Sequence, residues 1–445
     1  MSTIVRFAPS PTGYLHVGNI RSACMNWLFA RKTGGKLILR LDDTDDLRST
    51  LEFAEAIEQD LNWLGLTYDQ VVRQSDRLAR YQAALDRLAD MGLAYPCFET
   101  ADELELKRKL ALARGRPPVY DRAALKLTQA DRDRLLAEGR KPHWRFRLSG
   151  EPVVWNDMIR GPVSIDSTSL SDPVMVREDG RFLYLLASVV DDMDVGITHI
   201  IRGEDHVTNS GVQIEMFRAL GGQSPELGHF ALLTAANGAG LSKRNGALAI
   251  RDLRAEGVEA MTIVSLISKL GTSDAITPFT DLASLTADFD LGKLSRAPAR
   301  FDPEALHALN AKVLHHMTYD QVKDRLADIA PGAGADFWQA VRGNLSRFDE
   351  AGQWWQVVRA QITPVIQDAA LLAQAAGLLP AGEIDEATWP AWTAELSKLS
   401  GIKGKGLFMP LRLSLTGMDH GPEMKKLLPL IGRSKVLSRL QGQTA

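Results

Sequence analysis

The stretch Ile4-Val5-Arg6-Phe7-Ala8-Pro9-Ser10-Pro11-Thr12-Gly13-Tyr14-Leu15-His16-Val17-Gly18-Asn19 sets the architecture. Its first five residues read as a short strand. The Pro-Ser-Pro-Thr-Gly run must then turn, because each proline pushes the residue before it out of the helical region. From Gly18 the spacing becomes helical, with Ile20, Ala23, Trp27 and Ala30 on one face, and Gly34-Gly35 ends the run. Lys36-Leu37-Ile38-Leu39-Arg40-Leu41 reads as a second, buried strand. Strand, turn, helix and strand make a βαβ unit, hence a parallel sheet with a right-handed crossover. Leu51, Ala54, Ile57, Leu61 and Leu64 mark the next helix. Another carries Leu78, Tyr81, Leu85 and Leu88, with Ser75 as its expected N-cap and Gly92 near its end. The expected fold class is α/β.

Ligands of such sheets bind at the carboxyl ends of the strands. Two segments fall there. One is residues 9–19, leading into the helix. The other is Asp42-Asp43-Thr44-Asp45, straight after the second strand. A helix N-terminus offers unpaired N–H groups and positive potential, which suits phosphate. His16, just before it, can donate a hydrogen bond to a phosphoryl oxygen. On these residues alone, His16 as a turn histidine and the acidic run as a capping cluster remain open.

The chain has 445 residues, more than one core usually holds, so two to four domains are expected. With a net charge of −3, nothing global demands a polyanion partner, and nucleic-acid contact would need local basic patches. Two are present. Residues 107–147 hold 13 basic and 4 acidic side chains, and residues 397–445 hold 9 basic against Asp419 and Glu423. The two cysteines, Cys24 and Cys97, cannot build a disulfide framework and suit a reduced cytoplasm. The first ten residues lack an apolar signal core. The most apolar run, 369–380, is interrupted by Gln374 and falls short of the ~18 residues that cross a bilayer, so no membrane span is expected. Alternation from Trp144 to Val154, and again near Val163, predicts a small α+β module. After roughly residue 315 the pattern turns helical. Trp338, Val341 and Leu345 form one apolar face, Trp354, Val357 and Val358 the next, and residues 371–379 a third. The tryptophans read as core.

The run from Arg6 to Gly18 resembles the ATP-binding signature of class I glutamyl-tRNA synthetases. Leu241-Ser242-Lys243-Arg244, in a glycine-rich stretch, resembles the mobile phosphate-binding loop of that class, and its spacing does not fit a P-loop. Residues 184–192 and Ile201-Arg202-Gly203-Glu204-Asp205-His206 are also similar to the family. The likeness runs from about residue 3 to 312 and continues more weakly to the end. It implies a Rossmann-like parallel sheet with an inserted α+β module, followed by an all-α region. The implied domains are the first half of the catalytic domain (1–95), a module that meets the tRNA acceptor arm (96–185), the second catalytic half (186–235), a stem-contact region with the phosphate loop (236–314) and a helical anticodon-binding region (315–445). The implied activity is attachment of L-glutamate to the 3′ end of tRNA through glutamyl adenylate, with release of AMP and pyrophosphate. ATP enters with Mg2+, and the expected state is a cytoplasmic monomer.

Such a reaction needs positioning and charge stabilisation, not an enzyme nucleophile, in keeping with the lack of a Ser/His/Asp or Cys/His pattern. By resemblance His16, Gly18 and Asn19 hold ATP from one side. Ser242, Lys243 and Arg244 close on the pyrophosphate charge from the other. Arg6 and Arg202 take the glutamate side-chain carboxylate, where a guanidinium fork can bind both oxygens, and Tyr184 adds a hydroxyl. Ser10 and Ser188 are further substrate-contacting positions. For Arg202 the competing reading is an ion pair with Glu204 or Asp205. Asp42 takes the substrate ammonium, although the family position is usually glutamate and this side chain is one methylene shorter. Many members also carry a zinc knuckle. The matching stretch here, Tyr95-Pro96-Cys97-Phe98-Glu99-Thr100, has one cysteine, so no zinc is expected and Cys97 reads as a small packed side chain. Asn209-Ser210-Gly211-Val212-Gln213 and the missing zinc ligands suggest a divergent bacterial branch. That makes a non-discriminating or tRNA-Gln-directed enzyme the runner-up. A small-molecule nucleotidylyltransferase shares the His-x-Gly chemistry but is far shorter and lacks a basic helical tail.

Overall fold

The computed structural model describes residues 2–235, 238 and 248–445. The expected phosphate loop at Leu241, Ser242, Lys243 and Arg244 lies outside the described residues.

The opening βαβ unit forms as its pattern requires. Strands β1 (Ile4–Phe7), β2 (Lys36–Leu41) and β3 (Gln70–Arg73) are parallel, in the order β1-β2-β3. Helix α1 (Val17–Lys32) returns the chain from β1 to β2 and buries Ile20, Ala23, Trp27 and Ala30. Helix α2 (Leu51–Trp63) starts on Thr50, whose hydroxyl accepts from the Phe53 N–H at 3.2 Å. Before α3 (Leu78–Asp90) the structure departs from expectation. Ser75 does not cap this helix. A short 3₁₀ turn (Gln74–Arg77) intervenes, and Ser75 donates both its N–H and its hydroxyl to Asp43, each at 2.8 Å. The carboxylate at the end of β2 wins those two donors because it ties the chain leaving β3 back to the sheet.

An antiparallel module is spliced in next. It comprises β4 (Ala94–Cys97), α4 (Ala101–Ala113), α5 (Gln129–Ala137), β5 (His143–Phe146), the hairpin β6 (Pro152–Asp157) and β7 (Gly161–Asp166), and β8 (Val174–Val176). Strands β4, β5 and β8 make one antiparallel sheet. Both helices open with capping boxes, Thr100 with Glu103 and Thr128 with Asp131.

Helix α6 (Tyr184–Asp194) and β9 (His199–Gly203) resume the first layer. Thr198 fixes the junction. Its N–H donates to the Ile4 carbonyl at 2.9 Å and its hydroxyl accepts from the Ile4 N–H at 2.8 Å, so β9 starts beside β1. Helix α7 (Val207–Ala219) leads to β10 (Glu226–Phe230), which is parallel to β9. Strand β1 therefore has β2 on one side and β9 on the other, reached by separate crossovers. Their carboxyl ends define the point where strand order reverses, and a crevice opens at such a point. Strand β11 (Leu233–Ala235) pairs with β12 (Ala299–Phe301). Helices α8 (Ile250–Ala255), α9 (Ala260–Lys269) and α10 (Leu282–Asp288) lie between those two strands in sequence.

The chain divides into two compact units, one of residues 1–253, 263–277 and 281–302, the other of 254–262, 278–280 and 303–445. The inserted module belongs to the first. The second is helical: α11 (Pro303–His316), α12 (Tyr319–Ile329), α13 (Ala335–Val341), α14 (Glu350–Arg359), α15 (Ala369–Leu378), α16 (Thr388–Ser400), α17 (Lys405–Thr416), α18 (Met424–Ile431) and α19 (Arg433–Leu440). Leu345 lies beyond the end of α13, after a 3₁₀ turn (Arg342–Asn344). Trp338, Trp354, Trp355 and Trp392 are buried. The indole N–H groups of Trp338 and Trp392 donate to the Met317 and Ala375 carbonyls at 2.8 and 2.9 Å. These four rings are core. Among the described residues no helix is long and apolar enough to cross a membrane.

Candidate active site

The crevice at the β1/β9 reversal is a cavity of about 520 Å³. Of the expected residues, Arg6, Ser10, His16, Gly18, Asn19, Tyr184 and Arg202 line it. Asp42 and Ser188 do not. Both are buried behind Arg6, on the guanidinium of Arg40.

His16 is the N-cap of α1. Its Nδ1 accepts from the Gly18 N–H at 3.1 Å, and its own N–H donates to Asn19 Oδ1 at 3.3 Å. In the neutral ring that leaves the proton on Nε2. Gly18 is required here: a Cβ at this position would lie 2.9 Å from His16 Cε1. Turn histidine and phosphate donor are therefore compatible roles, since the cap fixes the tautomer that a donor needs.

Behind this rim lies a charge network. Arg40 donates through Nε to Asp42 Oδ1 at 2.7 Å, through Nη2 to Asp42 Oδ2 at 3.2 Å and to Ser188 Oγ at 3.3 Å, and through Nη1 to Asp192 Oδ1 at 2.7 Å. The same Asp192 oxygen accepts from Arg6 Nε at 3.3 Å. Burial works against the Arg40 charge, but Asp42 and Asp192 more than offset it and hold the guanidinium firmly protonated. Both Asp42 oxygens are engaged by Arg40, so direct capture of an ammonium by Asp42 requires it to share them. Asp191, next in line, accepts from Gln74 at 2.9 Å, from Arg77 at 2.5 Å and from the Tyr81 hydroxyl.

Arg202, at the carboxyl end of β9, is different. Its partners are neutral: the Tyr184 hydroxyl, Ser210 Oγ at 2.5 Å and Gln213 Oε1 at 2.6 Å. No carboxylate lies within ion-pair reach among the described residues. Glu204 pairs instead with Arg160 at 2.6 Å, and Asp205 lies 3.8 Å from His206, which removes the competing reading. Arg202 is 5% exposed, and burial lowers its pKa from the ordinary value. Its Nε and the side-chain amide nitrogen of Gln213 have no acceptor among the described residues. Lone buried cations with spare donors are costly unless a ligand supplies the counter-charge.

Behind Arg202 the fold brings together side chains from distant parts of the chain. His229 on β10 places Nδ1 2.5 Å from Asp157 Oδ2 and Nε2 2.8 Å from Ser210 Oγ. Asp, His and Ser thus do meet here, against the expectation drawn from their spacing. They are not a nucleophilic triad, because Ser210 is fully buried and accepts from Arg202. Arg21, one turn into α1, lines the same cavity. Burial lowers it to about 10, and its Nη2 donates to the Leu270 carbonyl at 3.0 Å.

The basic patches are less exposed than their counts suggest. In the inserted module Lys107 is held by Glu99 and Asp121, and Arg108 by Glu105, while Arg114 and Arg116 stand exposed beside a 340 Å³ pocket. In the helical unit Arg412, Arg433, Lys435 and Arg439 donate to backbone carbonyls, and Arg439 is fully buried. Cys97 is also buried, takes the Tyr120 hydroxyl at 3.6 Å, and has its thiol pushed up to about 11 by that burial. No group of three metal-ligating side chains occurs among the described residues.

Comparison with known proteins agrees with this geometry. Residues 2–308 match the catalytic domain of class I tRNA synthetases (E and Q), and residues 359–443 match an anticodon-binding domain. The chain belongs to the class I tRNA synthetases (E and Q), and is an enzyme of the aminoacyl-tRNA synthetase type. It is 56% identical to glutamate–tRNA ligase 1 of Maricaulis maris, with 100% of both chains covered, and 54% identical to glutamate–tRNA ligase of Azospirillum brasilense, again with 100% of both covered. Among solved structures, a glutamate tRNA ligase from Elizabethkingia meningosepticum in complex with its amino acid aligns with a TM-score of 0.84 at 27% identity, covering 99% of this chain and 98% of that one.

Proposed function

We propose that this synthetase is a glutamate–tRNA ligase: it activates L-glutamate with ATP and Mg2+ to glutamyl adenylate, releases pyrophosphate, and passes the glutamyl group to the 3′ end of tRNA. The observation that carries this reading is Arg202, a buried guanidinium with only neutral partners at the carboxyl end of β9. An acidic side chain supplies the missing charge; an amide does not. Arg6 approaches the same cavity from β1, and the His16-capped N-terminus of α1 suits the α-phosphate. Lys243 and Arg244, carried over by resemblance, stabilise the departing pyrophosphate. The full-length relatives named as glutamate–tRNA ligases support the assignment, and a small nucleotidylyltransferase is set aside.

Charging purified tRNA-Glu and tRNA-Gln with labelled glutamate tests this. Glutamate must be attached to at least one, and glutamine to neither. Ser210 and Gln213 of the 209–213 segment both bond Arg202 from behind.

Two corollaries follow. The protein works without zinc, because one buried cysteine cannot make a four-ligand site. Elemental analysis of protein purified without chelator should find less than about one-tenth equivalent, and a full equivalent would refute this. The acceptor arm is met by Arg114 and Arg116, two exposed cations of the module that stand beside its pocket outside the ion pairs holding Lys107 and Arg108. Arg114→Glu with Arg116→Glu should weaken tRNA binding and flatten its salt dependence by about one to two units of slope, because phosphate contacts release counterions. An unchanged slope in titrations at several salt concentrations would take the phosphates away from this surface.

A further inference from the structure

We infer that Asp157, His229 and Ser210 form a fixed-direction hydrogen-bond relay that positions Arg202 and so sets the affinity of the cleft for an acidic amino acid. The inference rests on the reading of Arg202 as the partner of the substrate carboxylate.

The direction follows from the order of donors and acceptors. Asp157 Oδ1 is saturated by three backbone N–H groups, from Ile159, Arg160 and His229, at 3.0, 2.9 and 3.1 Å. Those bonds hold the side chain as a carboxylate, and Oδ2 can only accept. His229 Nδ1, 2.5 Å away, must carry the proton. Nε2 is then an acceptor, and only the Ser210 hydroxyl, at 2.8 Å, is placed to donate to it. With its proton committed, Ser210 Oγ turns its lone pairs to the Arg202 Nη2 at 2.5 Å. A guanidinium has donors only, so a serine free to rotate could face it with the wrong pole. Here it cannot.

The arrangement solves a specific problem. A carboxylate in place of Ser210 would hold Arg202 more strongly, but it would also neutralise the charge meant for the substrate. The relay keeps the acidic end of the chain two side chains away and presents Arg202 with an oriented dipole. All three relay residues are at most 2% exposed, so water cannot substitute. They act through Arg202 and are positioning residues.

The test compares four variants with the parent in glutamate-dependent and ATP-dependent activation kinetics. Ser210→Ala should raise KM for glutamate roughly tenfold, while KM for ATP and kcat at saturating glutamate change less than about threefold. Ser210→Thr, which keeps the hydroxyl, should restore the parent KM. Asp157→Asn keeps the size and the backbone acceptor, but its amide N–H faces Nδ1 and drives the imidazole proton to Nε2. Ser210 then meets donors on both sides, and the glutamate KM should rise as in Ser210→Ala. This isosteric variant carries the test should Ser210→Ala fail to fold. Equal losses in the ATP and glutamate parameters would reduce the three residues to packing and overturn the relay. So would an unchanged glutamate KM in both variants alongside a large loss in Arg202→Ala, which leaves the reading of Arg202 standing. An unchanged Arg202→Ala would remove that reading and the relay together.

Discussion

Arg202→Ala is expected to weaken glutamate binding by about a hundredfold while ATP binding survives. Truncating one side of a buried, hydrogen-bonded charge pair costs roughly 2–5 kcal/mol, and a hundredfold is about 2.7 kcal/mol. Arg6 and Arg40 each have an aspartate in reach, whereas Arg202 has neutral partners, so its removal costs the ligand more than it costs the protein. Arg202→Lys should recover little. An ammonium cannot meet Tyr184, Ser210, Gln213 and a substrate carboxylate in one plane. Calorimetric titration with glutamate, and separately with ATP, reads both effects. Unchanged glutamate affinity would place the side-chain pocket elsewhere.

Lys243→Ala should slow adenylate formation by on the order of a hundredfold or more, the usual cost of deleting a charge partner of the transition state. Negative charge develops on the pyrophosphate as its bond to the α-phosphorus breaks, and the capped α1 terminus offers partial charges only. By resemblance Lys243 brings a full cation to that charge. Single-turnover measurement of adenylate, with ATP affinity measured alongside, isolates this step. A retained rate would remove Lys243 from that role.

The strands and helices of the first layer were legible because periodicity and prolines act locally. Ile4–Phe7, Val17–Lys32 and Lys36–Leu41 fall where apolar spacing and the Pro9-Ser10-Pro11 turn put them. Ser75 was misread for the opposite reason: its partner, Asp43, is 32 residues away and no local rule reports it. The same limit hid the site's supporting shell. Asp157, His229 and Ser210 come from β6, β10 and α7, and only the fold brings them together. Charge counting failed in another way. It counts Arg439 as surface cation, whereas that side chain is buried and bonds the Ala445, Leu415 and Ala360 carbonyls. The cleft residues found in advance came from motif likeness at Arg6, His16, Tyr184 and Arg202.

The lone charge on Arg202 has a consequence for the protein as a thermodynamic object. A fold that buries a cation without its counter-ion gives up stability that a hydrophobic side chain of similar size would return. On the proposed role of Arg202 the substrate supplies the counter-ion, so occupancy and resistance to unfolding become linked quantities. At free glutamate a hundred times its dissociation constant, the linkage is worth about 2.7 kcal/mol. On that reading the amino acid acts as a reversible part of the protein's own core, and the ligand-free enzyme is expected to be the more readily unfolded form.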